Sequence, residues 1–371
     1  MMDLKKILRT VHHEWSRYRA ADLEGLALGL VDRQSSVDEE HHGKTLKKIV
    51  DAYHQAQAVP ESSLPLPYHV GGAWRDDIST RRKEYLDAFE SGDSATLGRL
   101  FANFFRNSGV AGTWSHNYYP NIVNGGRGVK KGFVSAILED YQVWKDLVED
   151  RDISAVSAPT VGNPWGYLMD GSLIMADSFR LHYHANKVQN LLSDINRPVV
   201  VEIGGGYGGF AYYLLNRREP CAYIGYDLPI VLAIQTYYLM NAFPEKKFLL
   251  FDSIETEISG EIIEKYDVIL MPHFHLPRLA NDTVDLFINA NSLSEMDYPT
   301  INEYLTNIGR TCKHFFFHEN SDKTVLNVGH QEVPASRYPI PANFKQLYKH
   351  YSPWGGGAGR QREYLYERRQ D

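Results

Sequence analysis

From Arg197 to Gly209 the chain reads Arg-Pro-Val-Val-Val-Glu-Ile-Gly-Gly-Gly-Tyr-Gly-Gly, which sets one carboxylate, Glu202, two positions ahead of glycines at 204, 205, 206, 208 and 209. Glycine allows a sharp turn and leaves no Cβ between the loop and a ligand lying on it. Val199, Val200 and Val201 suit a strand buried on both faces, and Phe210 to Leu215 suits a helix packed on that strand. The helix N-terminus after the glycines then offers free N–H donors to something small and polar that rests near Tyr207. The next apolar run, Ala222 to Tyr226, ends at Asp227, whose carboxylate could accept both hydroxyls of a ribose.

Two cofactor classes fit these residues. Gly204, Gly206 and Gly209 satisfy the G-x-G-x-x-G spacing of dinucleotide-binding folds, with Asp227 near the distance expected for a ribose contact. Glu202, Gly204, Gly206 and Gly208 read E-x-G-x-G-x-G, which resembles motif I of class I S-adenosylmethionine (SAM) dependent methyltransferases and gives the acid a role. For Asp227 the competing structural role is a helix N-cap, since Leu228-Pro229 follows and Ile230 to Met240 is helical by pattern.

Further candidates lie where the pattern puts strand ends and helix starts. Phe179 to Ala185 opens a helix leading into the glycine-loop strand, so Arg180 and His182 fall near the cofactor side, and Arg180 could hold a carboxylate by a charge-assisted pair. Phe248 to Phe251, Val268 to Met271 and Val284 to Ile288 read as strands. With the last two as the third and fourth strands, Phe248 to Asp252 is an added strand and His273 and Phe274 are the adenine-side residues; the opposite assignment gives Asp252 that place. Asp285 to Met296 passes from strand to polar turn, carrying Asn291 and Glu295 to the carboxyl edge, where open α/β sheets bind ligands. Phe315 to Phe317 points His318 to the same edge. Arg362 to Arg368 reads as a closing strand after the glycine turn at 355–359, which a class I methyltransferase expects and most dehydrogenases do not.

The elements that must position these residues follow from periodicity. Helical spacing recurs at Leu4 to Tyr18, Leu46 to Tyr53, Leu97 to Phe105 and Phe133 to Val148, so residues 1–160 read as a mainly helical cap and 161–371 as the α/β domain. The stretches His69 to Arg75, Gly112 to Tyr119 and Gly162 to Tyr167 read as loops mixing glycine with Trp, Tyr, His, Arg and Asn, as carbohydrate pockets do and rigid loops also do. At 371 residues with 43% apolar content the core is ample, and a net charge of -7 argues against broad nucleic-acid or anionic-membrane binding. Cys221 and Cys312 read as buried thiols in a reducing cytoplasm; no integral membrane segment is expected, and homo-oligomerisation stays open.

Gly162 to Tyr167, Arg180 to Leu192, Val200 to Leu215, Tyr226 to Met240, Val284 to Met296 and Tyr351 to Arg368 together resemble the sugar O-methyltransferases encoded with bacterial surface-polysaccharide genes. The Asn-Ser-Leu-Ser-Glu-Met stretch at 291–296 is the segment most particular to that group. The resemblance implies a Rossmann-like α/β fold, SAM, and a sugar or glycan hydroxyl as acceptor, with Glu202, Gly204, Gly205, Gly206, Tyr207, Asp227, Leu228, His273, Phe274, Asn291 and Arg180 around the cofactor. A sugar hydroxyl needs a base or a metal. Glu295 and His318 are the base candidates, His182 and His116 the reserves; no metal site is expected, although His273-Phe-His275 keeps one conceivable. The rival functions are an NAD(P)-dependent oxidoreductase acting on a sugar nucleotide and a non-catalytic binding subunit.

Overall fold

A computed structural model describes residues 22–33, 39–107, 115–149, 151–217, 220–323, 326–327, 330–331, 333–354 and 361–369. The helix expected at Leu4 to Tyr18, the side chains of Trp114, His116 and Tyr118, and the glycine turn at 355–359 lie outside them. The valine run forms β1 (Val199–Ile203), the centre of an eight-stranded sheet with β2 (Ala222–Asp227), β3 (Phe248–Leu250), β4 (Val268–Pro272), β5 (Val284–Ala290), β6 (Cys312–Ser321), β7 (Phe344–Tyr351) and β8 (Gln361–Arg368). The order is β7-β8-β6-β5-β1-β2-β4-β3. Strands β1 to β6 run parallel, and β8 enters antiparallel between β6 and β7.

This sheet is the Rossmann-like α/β architecture expected, closed by an antiparallel pair. Strand β4 lies directly beside β2, with Pro272 opposite Asp227, and β3 is the outer addition. His273 and Phe274 therefore follow the strand next to Asp227. Strand β7 left little trace in the sequence because it is an edge strand, exposed at most positions and rich in Lys, Gln and His.

The helices are α1 (Glu24–Gly29), α2 (Glu39–Gln57), α3 (Gly72–Arg81), α4 (Lys83–Ser91), α5 (Ser94–Ala102), α6 (Ser115–Asn124), α7 (Arg127–Leu147), α8 (Ser178–Leu191), α9 (Gly209–Arg217), α10 (Pro229–Ala242), α11 (Gly260–Lys265) and α12 (Tyr298–Thr311). Side-chain alternation along the strands sends Val200, Tyr223, Leu270, Leu286, Ile288 and Phe317 to the face shared with α8, α9 and α10. Val201, Ile224, Ile269, Phe287 and Phe316 go to the other face, with α12. Helix α10 is buried from Ile230 to Met240 because it is apolar all round. The sheet lies on one side of it, while Leu46, Ile49, Phe101 and Phe104 of the N-terminal region share the same core, with Phe101 stacked on Tyr237 at 5.2 Å.

The stretch His69 to Arg75, expected as a loop, instead runs into α3 at Gly72. That helix shows no apolar stripe, so the period gave no signal for it. Its tertiary contacts hold it, as described below. Both cysteines are buried and free. Among the described residues no helix is long and apolar enough to cross a membrane.

Candidate active site

The glycine loop is tied down from several directions. Gly204 and Gly206 take left-handed φ values of 72° and 58°. Gly204 N–H donates to Tyr226 O at 2.8 Å, and a Cβ on Gly204 would come within 2.2 Å of Ser292 Oγ. A Cβ on Gly205 would meet Gln235 Nε2 at 2.6 Å and Glu202 Oε2 at 2.8 Å. The missing side chains thus serve the loop's own packing. Beneath the loop, Tyr223 OH donates to Glu202 Oε2 at 2.6 Å and accepts from Gln235 Nε2 of α10 at 2.9 Å. Burial pushes the Glu202 carboxyl up to about 7 in spite of the Tyr223 bond. Glu202 anchors the loop from inside, and the ring of Tyr207 packs into the core 4.9 Å from Phe105 and 5.2 Å from Tyr238, leaving only its backbone to a ligand.

Asp227 completes the edge. Its carboxylate accepts Gly206 N–H at 2.9 Å and Leu228 N–H at 2.7 Å, so it joins the glycine loop to the end of β2. The N-cap of α10 is Leu228, not Asp227. Burial raises the Asp227 carboxyl to about 7, against the two backbone bonds and the Arg82 charge, and the Glu295 charge adds to the rise. Ionised, it keeps lone pairs for further donors.

The segment from Tyr68 to Arg82 lies across this edge. His273 Nε2 meets Tyr68 O at 2.9 Å, and Trp74 Nε1 donates to Glu295 Oε2 at 2.9 Å. The buried Arg82 pairs with Asp77, sits 5.4 Å over the Trp74 ring and directs its charge at Asp227. Phe274, packed edge-on to Phe251 at 5.7 Å, lies beside His273. Asp227, Leu228, His273, Phe274 and Glu295 are therefore brought together, with the N-terminal region as their roof.

On the β5 side an amide ladder sets the turn after the strand. Asn320 Nδ2 donates to Asn289 Oδ1 at 2.8 Å, Asn289 Nδ2 donates to Ile203 O at 2.8 Å, and Ser292 Oγ donates to the same carbonyl at 3.0 Å. Asn291 adopts φ 72°, a left-handed conformation that Asn tolerates, and its buried Oδ1 has no partner. This polar turn fixes Glu295 at the edge, where it is exposed.

Arg180 lies at the start of α8. It pairs with Asp177 at 3.4 Å while its buried Nη1 has no partner. Burial works to lower the guanidinium pKa, but the charges of Asp177 and Glu319 outweigh it and the net shift is upward. Glu202 and Glu319 both feel the Arg180 charge, so Arg180 stands between the glycine-loop hub and the end of β6. The end of β6 holds a further ionisable group. His184, one turn on, bonds through Nε2 to Glu319 Oε2 at 2.9 Å, and Lys187 pairs with Glu363. His184, Glu319 and Glu363 are the one set of three potential metal-ligating residues grouped within 4.8 Å among the described residues. The Lys187 ammonium already supplies a cation there.

His318 does not reach the edge. It is fully buried on the α12 face of the sheet, stacked on Tyr364 at 4.6 Å and flanked by Phe316 and Tyr338. Burial drives its pKa down to about 3. His318 therefore faces away from α8 and Arg180, and the cause of the misplacement is strand alternation: Phe317 and Glu319 point to the α8 face, His318 to the other. The reserve His182 is likewise enclosed, with Trp144 Nε1 donating to its Nδ1 at 3.0 Å. His275 is buried, and burial holds its pKa near 4. Asn163 and Trp165 of the 162–167 stretch are buried structural residues: Asn163 bonds Asn103 and Asp32, and Trp165 bonds Phe105 O.

No family model matches the sequence, and comparison with curated proteins returns no relative. Solved structures do align with it. The mitomycin 7-O-methyltransferase MmcR is 15% identical over 52% of this chain and 56% of its own, with a TM-score of 0.35. The N-methyltransferase NodS from Bradyrhizobium japonicum WM9, solved with S-adenosyl-L-homocysteine (SAH), is 10% identical over 62% of this chain and 100% of its own, at 0.37. A putative sarcosine dimethylglycine methyltransferase from Galdieria sulphuraria is 10% identical over 51% and 85%, at 0.37.

Proposed function

We propose that this chain is a SAM-dependent O-methyltransferase whose acceptor is a sugar hydroxyl of a glycan or nucleotide sugar. The observation that supports it most is the pairing, around one glycine loop, of Asp227, bonded to Gly206 N–H, with Arg180, whose buried Nη1 has no partner and whose charge is felt by Glu202 and Tyr207. A diol and an α-carboxylate are the two polar ends of SAM, and these two residues fit them. His273, Phe274 and Leu228 would border the adenine. When bound, SAM supplies an activated methyl group on a sulfonium. The chain's own work is then to align the acceptor, exclude water under the Tyr68 to Arg82 roof and take the hydroxyl proton. The antiparallel pair β7 and β8 favours this reading over a nicotinamide enzyme. The sugar class rests on the resemblance of residues 284–296 and on the aromatic content around the site. Calorimetric titration of the purified chain with SAM, SAH and NAD tests it: binding of SAM and SAH with none for NAD supports the reading, and binding of NAD alone refutes it.

A further inference from the structure

Neither His318 nor Glu295 is well placed to act as the base. His318 is enclosed on the far face of the sheet, and Glu295 already accepts from Trp74 beside Asp227. The α8 face of β6 offers a different group. Glu319 is at the same level of the sheet as the turn after β5: it lies opposite Ala290, and its carbonyl accepts Asn291 N–H at 2.8 Å. Its carboxylate meets His184 Nε2 at 2.9 Å. His184 and Arg180 are four residues apart on α8, hence on one face of the helix, so this imidazole sits one turn from the residue assigned to the cofactor carboxylate.

We propose that His184 is the general base of the methyl transfer and that Glu319 is its positioning residue. The inference rests on the methyltransferase reading given above. An ionised Glu319 accepts only, so Nε2 must carry the proton and Nδ1 must present its lone pair. Burial alone would raise the Glu319 carboxyl, but the hydrogen bonds from His184 and Ser352 and the Arg180 charge work against it, and Glu319 lies below the usual carboxylate range. His184 Nδ1 is buried and lacks a partner, and an alcohol O–H is the donor such a nitrogen lacks. In the reaction the acceptor oxygen bonds to the methyl carbon of SAM. The carbon–sulfur bond breaks with its electron pair left on sulfur, giving SAH, and the hydroxyl proton passes to Nδ1. The imidazolium so formed is stabilised by the Glu319 carboxylate, and the proton leaves to solvent when product departs.

The other groups around the pair fit that assignment. Arg180 and Lys187 supply positive charge from α8; Lys187 is absorbed by Glu363, which also accepts from Tyr183 OH at 3.2 Å and faces His350 Nε2 at 3.5 Å. His184 meets the Glu319 carboxylate, whereas His182 meets Trp144 and Asn186, His273 a backbone carbonyl, and His318 Asn320.

The test joins a spectroscopic and a kinetic arm on the full chain with SAM or SAH bound. Nitrogen-15 NMR of histidine-labelled protein, with the His184 signals identified by comparison with His184→Gln, should find a neutral ring protonated at Nε2 near neutral pH. Glu319→Gln should release that preference. An Nδ1–H tautomer or an imidazolium overturns the proposal whatever the acceptor. In the kinetic arm, SAH release is followed with a set of nucleoside diphosphate sugars as probes. His184→Gln should lower kcat about 100-fold or more with SAM affinity within twofold, and Glu319→Gln should shift the pH profile of kcat. A purely structural contact would instead lower SAM affinity and melting temperature and leave that profile in place. Normal kcat in folded His184→Gln removes the base and leaves the methyltransferase reading standing; failure of the wild-type chain to bind SAM removes that reading itself.

Discussion

Asp227→Asn is the most informative single change, because the structure gives both its size and its pH dependence. The carboxylate accepts Gly206 N–H at 2.9 Å and Leu228 N–H at 2.7 Å, and it retains lone pairs for two ribose hydroxyls. Asparagine keeps the volume but turns one acceptor oxygen into an amide that faces a backbone N–H. Hydrogen bonds to a charged group contribute about 1.5–3 kcal/mol. At 1.4 kcal/mol per tenfold, SAM binding should weaken roughly 10- to 150-fold. Because burial raises Asp227 to about 7 and the charged form accepts the diol, wild-type affinity should fall as pH drops through that value. The Asn variant should show no such fall from this group.

The same shift acts on the free protein with a definite sign. Asp227 and Glu202, both raised to about 7, bind protons in the fold that an unfolded carboxyl has lost above its ordinary pKa near 4. Their contribution to stability is therefore full below the unfolded value and is lost as pH rises towards 7. Asp227→Asn should flatten that decline in urea unfolding, with Glu202 keeping part of it. Calorimetry at two pH values, with circular dichroism to confirm folding, reads both effects. A folded Asp227→Asn protein with wild-type SAM affinity above pH 7 would refute the ribose role.

Arg180 is paired with Asp177, so Arg180→Gln alone would strand a buried carboxylate. The double variant Asp177→Asn/Arg180→Gln should keep the fold and weaken SAM roughly tenfold or more, while adenosine, which lacks the carboxylate, binds as before; equal losses for both ligands would contradict the assignment. Gly204→Ala meets Ser292 Oγ at 2.2 Å in a left-handed backbone and should cost about 1–3 kcal/mol or more, seen as a lower Tm and weaker SAM binding; an unchanged Tm would show that the loop relaxes freely. Trp74→Phe removes the 2.9 Å bond between the roof and Glu295, so SAH release by stopped flow should quicken with little change in Tm, and an unaltered release rate would mean that the roof does not gate the site.

The sheet was legible because its signals are local. Three consecutive valines, a glycine turn and an acid at the end of the next apolar run allow few other folds, and the strand next to Asp227 is the one whose spacing suggested it. The roof was not legible, since α3 carries no apolar stripe and is held by Arg82, Trp74 and Tyr68 meeting residues up to 239 positions away. His318 was misplaced for a smaller reason. At the end of β6 His318 and Glu319 are adjacent, and only the sheet's alternation shows that the second, not the first, faces α8. His184 in turn gains its significance from Glu319, 135 residues further on.

A crystal structure of the chain with SAH tests the central claim most directly. SAH density is expected over the backbone at 204–208, with the ribose hydroxyls on Asp227 and the amino-acid carboxylate on Arg180 Nη1. SAH elsewhere, or a crevice that takes the pyrophosphate of NAD in its place, would contradict it.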